Sequence, residues 1–563
     1  MSLTIKYLDT PEGAQESAVV TGQGLQPFSD STSMVSGAID VPWATTETQQ
    51  WTLDGTRDLL PDAPEGVGWW SAQPSEDGKD GFVLGEAILG ETPLGEDRPG
   101  GYFAEPPMIL IDFSERFTAN GITITFSPST EQWCSEIRVK WYRGNELLAE
   151  LNGYPDSAQW SGGGMVDSFN RITIELMSTN QPRHFAKIQQ IVIGKTIVFG
   201  RNEIIKAELI NEADHTLGTL SVDTSRFEVL APDGLDLNPV ENQRVVLYRD
   251  ADMLSTHYIQ ESTKETAGHY VLSCQSAIGM LEDDFLGGVY ENTPVDTVLD
   301  DILDGWQYEI DDSFQSSVIT GYIPVCSRRN ALQQVVFAIG ALVVTRGSDK
   351  IKLVSLPQGE HVQFEEDDTF PGATLDRAQR VARYELTVHR YKKSNTEETL
   401  LDDIEVTDDS NSDESVLVTF DAPHWGYTIV GGEITGSDAN WITIKASGAV
   451  TVKAKTYTHT TFVRTKKNLD ATHTERNNAV SVTDATLVNR ANATAVLERL
   501  YAAGQFRHTL TQDVVVTDQA AGILVESVGP WGGRICGIIT AMDSTLTQNG
   551  HTATVTIAGE EVE

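Results

Sequence analysis

Several things are scarce in this 563-residue chain, and each scarcity excludes something. Cysteine is rare, with four thiols at positions 134, 274, 326 and 536. Even the closest pair, Cys274 and Cys326, is too far apart for a CxxC zinc or redox motif, and a disulfide framework is not expected. All four sit in apolar patterns, which favours buried free thiols. No apolar run approaches the roughly 18 residues needed for a membrane-spanning helix. The opening "MSLTIKYLDTPEGAQE" lacks a basic stretch followed by an apolar core, so no secretory signal is expected and synthesis is assigned to the cytoplasm. Positive charge is also short. Lys and Arg number 40 against 82 Asp and Glu, a formal charge of −42. A chain so acidic repels duplex DNA, whose binding rests on cationic contacts to phosphate. Two readings of that charge stand: solubility, or a surface past which DNA slides without sticking.

Catalytic signatures are missing as well. HExxH and GxSxG do not occur, and the eleven histidines are scattered. Acidic runs at 282–284, 300–301, 311–312 and 365–368 do not have the DxDxDG spacing that presents calcium ligands from one loop. They read as solvated faces. A carboxylate pair for glycoside hydrolysis has no fixed spacing, and nothing singles one out. No cofactor is called for, and no enzyme is expected. Gly194-Lys195-Thr196 ends like a phosphate-binding loop. Gln189 stands where such a loop needs its first glycine, and the "IVFG" that follows is strand-like rather than helical.

What is present is a series of short alternating runs. Residues 1–34 read as an N-terminal arm, rich in turn formers. From 35 to 194 come "MILIDFS", "GITITFS", "SEIRVKWY", "NELLAEL", "NRITIEL" and "AKIQQIVIG", separated by signals such as Asn120-Gly121. That pattern predicts a β-sandwich, with "NRITIEL" and "AKIQQIVIG" as its last hairpin-like pair. Residues 195–394 add helices to strands. "TPVDTVLDDILDG" offers Thr293 as cap, Pro294 at the first helical position and a stripe of Val295, Val298, Leu299 and Ile302. "SRRNALQQVVFAIGA" repeats the grammar, with Ser327 as cap and Leu332, Val335, Val336 and Ile339 buried. Residues 395–465 read as a β insert that opens with the acidic "TDDSNSDES". Residues 466–563 predict one long helix from Asp484 to Gly504, then strands.

Tryptophan is concentrated early. Seven of eleven lie in the first 165 residues. Trp133 and Trp141 flank a strand and belong to a core. Trp69, Trp70 and Trp160 lie among loop residues, and with Tyr102 they form the candidate carbohydrate-binding set. Aromatic faces stack on sugar rings while nearby Asp, Asn and Arg meet the hydroxyls. The competing reading makes them local cores of a loop-rich β domain. No metal ligands are nominated.

Two resemblances follow. "WTLDG…GWWS…ILIDFS…GITITFSPSTEQWCSEIRVKWYRGNELL…FNRITIEL…AKIQQIVIG" resembles a discoidin-like domain of the galactose-binding-like superfamily. The family's terminal disulfide is absent here. "QRVVLYRDADMLSTHYIQES", "TPVDTVLDDILDG", "YIPVCSRRNALQQVVFAIGALVVTRGSDKIKLVSL", "ERNNAVSVTDATLVNRANATAVLERLY" and "GRICGIITAMDSTLTQNGHTATVTIAG" resemble tail-tip and baseplate hub proteins of tailed phages, prophages and tailocins. The hub likeness covers 195–390 and 466–563. Together they imply a multidomain, mainly β protein with α+β parts: a β-sandwich jelly roll plus hub-type β-barrel domains with packed helices. They imply a homotrimeric virion structural protein at the tail tip, made in the host bacterial cytoplasm. Its partners would be distal tail, tube and tip proteins, with host surface glycan as a further ligand and DNA passing unbound. The rival is a free-standing carbohydrate-binding adhesin or an accessory module of a glycosidase.

Overall fold

The computed structural model describes residues 3–8, 14, 17–23, 106, 108–126, 133–180, 188–231, 239, 241–250, 252–266, 268–405, 415–517, 519–547 and 550–562. It is 62 % strand and 9 % helix, a mainly β multidomain fold. The chain forms two compact units. One comprises Met1–Ile5, Phe199–Leu235 and Val246–Glu563; the other comprises Lys6–Val198 and Asp236–Val245.

The smaller unit is built on one sheet, in the order Ala18–Gln23, Met108–Phe126, Gln159–Thr179, Cys134–Arg143 and Glu146–Gly153, with Ile188–Ile193 also paired to Met108–Phe126. Alternation sets its core. Ile137, Val139 and Trp141 stand opposite Leu176, Ile174 and Ile172. Those last two stand opposite Ile109 and Ile111. Side chains two apart share a face, so three strands present continuous apolar rows. The long strands bend at register shifts around Asp112, Phe117 and Asn120. Their two halves then face each other: a Cβ on Gly163 would lie 3.3 Å from the Trp141 ring. Residues from both halves share one apolar cluster.

Two expectations fail in this unit. Asn120-Gly121 is not a hairpin turn. Gly121, at φ +78°, sits inside the continuous strand Met108–Phe126, where the left-handed backbone makes a bulge instead. Strands Gln159–Thr179 and Ile188–Ile193 are not a hairpin either, because each pairs with opposite edges of Met108–Phe126. Part of the expected arm is also sheet: Ala18–Gln23 runs antiparallel to Met108–Phe113. After Ile193 the Gly194 amide donates to Gly121 O at 3.0 Å, and the chain continues as strand Thr196–Phe199.

The larger unit carries a sheet ordered Thr374–Arg377, His508–Val515, Gly550–Val562, Arg534–Thr547, Ile204–Glu212, Thr224–Leu230, His269–Gln275 and Asp252–Thr266. The contact between early and late sequence is direct: Ala207 stands opposite Leu546, and Leu209 opposite Ser544. Beside it lies a helical module. Helix α1 (Val295–Ile302) buries Val295, Val298, Leu299 and Ile302. Its cap is Pro294 with no side-chain bond, not Thr293, which lies within strand Gly288–Pro294, paired to Val318–Ile323. Helix α2 (Arg328–Ile339) is capped by Ser327, whose hydroxyl accepts from the Asn330 amide, and it ends on left-handed Gly340.

The tail helix is shorter than its sequence pattern. Helix α3 spans Ala493–Ala503. Leu487 and Val488 are buried, but in turns. Asparagine side chains break the helix before it starts: Asn489 accepts from the Ala491 amide, and Asn492 accepts from the Asn489 amide while donating to Leu487 O. Strand Arg383–Glu405 runs unbroken through 394 and pairs with Trp441–Lys467 as a long antiparallel ladder. The β insert is therefore continuous with the strand before it. It holds its own small cluster of Ile442, Ile444, Val450 and Val452. The acidic run at 407–414 lies outside the described residues.

Candidate functional site

Trp69, Trp70 and Tyr102 of the carbohydrate set lie outside the described residues. Trp160 is half-buried on strand Gln159–Thr179 and packs against the small unit's core. Two glycines make room for its indole. A Cβ would come within 2.3 Å of the ring at Gly153 and 2.2 Å at Gly162.

The larger unit holds a cleft of about 520 Å³ that sequence patterns did not single out. Its walls are the turn at His215–Gly218, the inner face of α2, the link Ala378–Val381, strand Ala479–Val482 with Thr483–Ala485, and the end of α3 with Phe506 and Arg507. Two neighbouring glutamines tie these walls together. Gln333 donates to Gly218 O at 2.9 Å. Gln334 donates to Asp484 O and accepts from the Thr486 amide, both at 3.2 Å. The cue was present in "NALQQVV": two amides on a helix otherwise spent on core contacts.

The floor is apolar, from Phe337, Val381, Val482, Leu500 and Ala503. Tyr384 lies beneath it, 2 % exposed, and its hydroxyl has no hydrogen-bond partner. That hydroxyl sits against Gly504, where a Cβ would be 1.7 Å away. Burial, with Tyr501 adding to it, pushes the phenol up to about 12, so it stays a neutral donor. Strand Ala479–Val482 is the last strand of its sheet. It pairs in parallel with Arg383–Leu386 on one side, and among the described residues no strand pairs its other side.

Charge is uneven around the cleft. Arg507 lies at one end, its guanidinium held below the usual range by burial and then by Arg377 and Arg380. Glu475 lies within the same field and is itself pulled down to about 2 by the amides of Thr472 and Arg380. Asp484 is a carboxylate in the lining, and it accepts from the Thr483 hydroxyl at 3.1 Å. Burial lowers the proton affinity of His215, against the opposing charge of Asp214. Its neighbour Asp214 does not serve as a catalytic partner, because both carboxylate oxygens are taken by Thr216 and Thr219. No nucleophile and base are brought together among the described lining residues.

Two histidine clusters lie elsewhere. His269 stands between Glu228 at 3.0 Å and Glu265 at 3.4 Å. Each ring nitrogen faces a different carboxylate, the geometry of an ion pair. In the long antiparallel ladder, His389 Nε2 donates to Thr483 O at 3.0 Å. Its Nδ1 is then the acceptor, and His459 Nε2 donates to it at 3.0 Å. Tyr391 stacks on His459 at 4.3 Å. Burial holds both histidines below their ordinary range.

No protein-family model matches the chain, and neither does any curated protein. Similar solved structures include a tail protein from Neisseria meningitidis MC58, 11 % identical over 66 % of this chain and 94 % of that one, with a TM-score of 0.40. The 43 kDa tail protein of prophage MuSo2 from Shewanella oneidensis is 9 % identical over 64 % of this chain and 95 % of its own, with a TM-score of 0.38. Prophage tail protein gp18 from Listeria monocytogenes EGD-e is 11 % identical over 64 % and 91 %, with a TM-score of 0.35.

Proposed function

We propose that this chain is a structural component of a phage or phage-like tail tip, a trimeric hub that closes the tail tube and leaves DNA free to pass. One observation carries the reading. The sequence likeness to hubs falls in two separate stretches, before and after the β insert. Strand Ile204–Glu212 from the first pairs directly with Arg534–Thr547 from the second. Two stretches that resemble one family form one sheet, as a single body interrupted by an insertion would.

The charge fits the same reading. At −42 per chain, a bore lined by these acids would repel DNA rather than retain it. Long antiparallel ladders, such as Arg383–Glu405 with Trp441–Lys467, suit a part that bears load. The Trp-rich N-terminal module would then meet host surface glycan through Trp69, Trp70, Tyr102 and Trp160. Among the described residues no helix is long and apolar enough to cross a membrane. The partners would be the neighbouring tail and tube proteins, and the location the virion.

Glycan arrays test the module. Binding that disappears in Trp69→Ala and Trp70→Ala supports the sugar role. Equal binding by both variants assigns the ligand elsewhere.

A further inference from the structure

The cleft has four features that point to one kind of occupant. It is large enough for a short stretch of chain, at about 520 Å³. One wall is the unpaired side of strand Ala479–Val482, whose Val480, Ser481 and Val482 all line it. An exposed sheet edge of this sort accepts an extended peptide as an added strand, with main-chain hydrogen bonds giving affinity. The floor is apolar, with Phe337, Leu500 and Ala503 in it. Arg507 is the one Lys or Arg among the described lining residues, and its Nε donates to Ala378 O at 3.4 Å.

We propose that this cleft is a docking site for an extended segment of a partner protein. The segment adds as a strand to Ala479–Val482, seats an aliphatic or aromatic side chain between α2 and α3, and presents a carboxylate to Arg507. Alternate side chains of an added strand point to opposite faces, so one side chain enters the apolar floor while its neighbours face out. The carboxylate belongs at the Arg507 end, since Asp484 lines the cleft and repels acid there. Tyr384 adds a buried donor beneath the floor, one that has no acceptor among the described residues. The inference rests on the reading of the chain as an assembly component and names how it grips a neighbour.

The test pans a library of displayed random nonapeptides against the full-length protein, in parallel with Ser481→Trp and Arg507→Glu. Ser481 is exposed, so a tryptophan there fills the cleft without disturbing the core. Circular dichroism and unfolding midpoints confirm that both variants fold. Peptides recovered on the native chain are expected to combine acidic with apolar residues and to be enriched at least about tenfold over Ser481→Trp. Losing a charge-assisted hydrogen bond weakens binding by roughly tenfold or more, so Arg507→Glu should lose the acidic preference. Methylating alternate backbone nitrogens of a recovered peptide should abolish its binding. No enrichment over Ser481→Trp, a basic preference, or binding indifferent to N-methylation overturns the proposal. A trimer without peptide enrichment refutes this site alone, while enrichment on a monomer refutes the hub reading alone.

Discussion

The contact between Tyr384 and Gly504 gives an unusually direct prediction. Gly504 follows α3 at φ −74°, a backbone that alanine adopts freely. Gly→Ala at such a site would normally stabilise by about 0.4–1 kcal/mol through the unfolded chain. Here the added Cβ would stand 1.7 Å from the Tyr384 hydroxyl and 2.6 Å from its Cζ. Tyr384 is 2 % exposed and meets Tyr501 edge-on at 5.8 Å, so its ring has little freedom to retreat. Overpacking of this kind costs about 1–3 kcal/mol, and Gly504→Ala is expected to be destabilising. Tyr384→Phe removes a buried hydroxyl that has no partner. An unmet buried donor costs about 1–3 kcal/mol, so this change should be neutral or stabilising by about 1 kcal/mol. In the double variant the nearest atom becomes Cζ, so part of the clash is relieved and the two changes couple by about 0.5 kcal/mol or more. Urea unfolding followed by tyrosine and tryptophan fluorescence measures all four corners of the cycle. A neutral Gly504→Ala, or a Tyr384→Phe that costs more than about 1 kcal/mol, would refute the reasoning.

Four further outcomes are expected. Trp141→Ala should destabilise the small unit by about 3–5 kcal/mol, since the ring is 1 % exposed at the centre of its core; a loss below about 1 kcal/mol contradicts that placement. Burial lowers the proton affinity of His257 and His551 to about 4, and lowers that of His389 and His459 as well. The unfolded chain then binds more protons, so their stabilisation is complete above pH 6.5 and is lost as pH falls toward 4. Unfolding midpoints against pH check this, and a His257→Leu variant that folds should show a shallower decline. Cys134 and Cys274 should react with Ellman's reagent only after denaturation, because burial raises both thiols and shields them. Cys326, less buried and raised to about 11, should react slowly in the native protein.

Sequence patterns revealed the alternating strands and both early helices because each has a local signature. Ile137, Val139 and Trp141 alternate, and Val295, Val298, Leu299 and Ile302 recur at helical spacing. They failed where the deciding partner is distant. Asn120-Gly121 reads as a turn until pairing with strand Gln159–Thr179 makes it a bulge within one strand. The stretch before α3 has helical spacing, and only the Asn489 and Asn492 side chains, competing for backbone groups, reveal the break. The cleft was invisible for the same reason. His215, Tyr384, Ser481 and Arg507 lie far apart in sequence, and Gly504 looked like a helix stop when it is also the space that a tyrosine hydroxyl needs.

The central claim is that this chain assembles as a closed trimer at a tail tip. The mass of the purified full-length protein in solution, measured by light scattering after size exclusion at physiological salt, tests it most directly. A particle of three 563-residue chains is the predicted result. A monomer that stays monomeric across concentration, alone and with its neighbouring tail proteins, would contradict it.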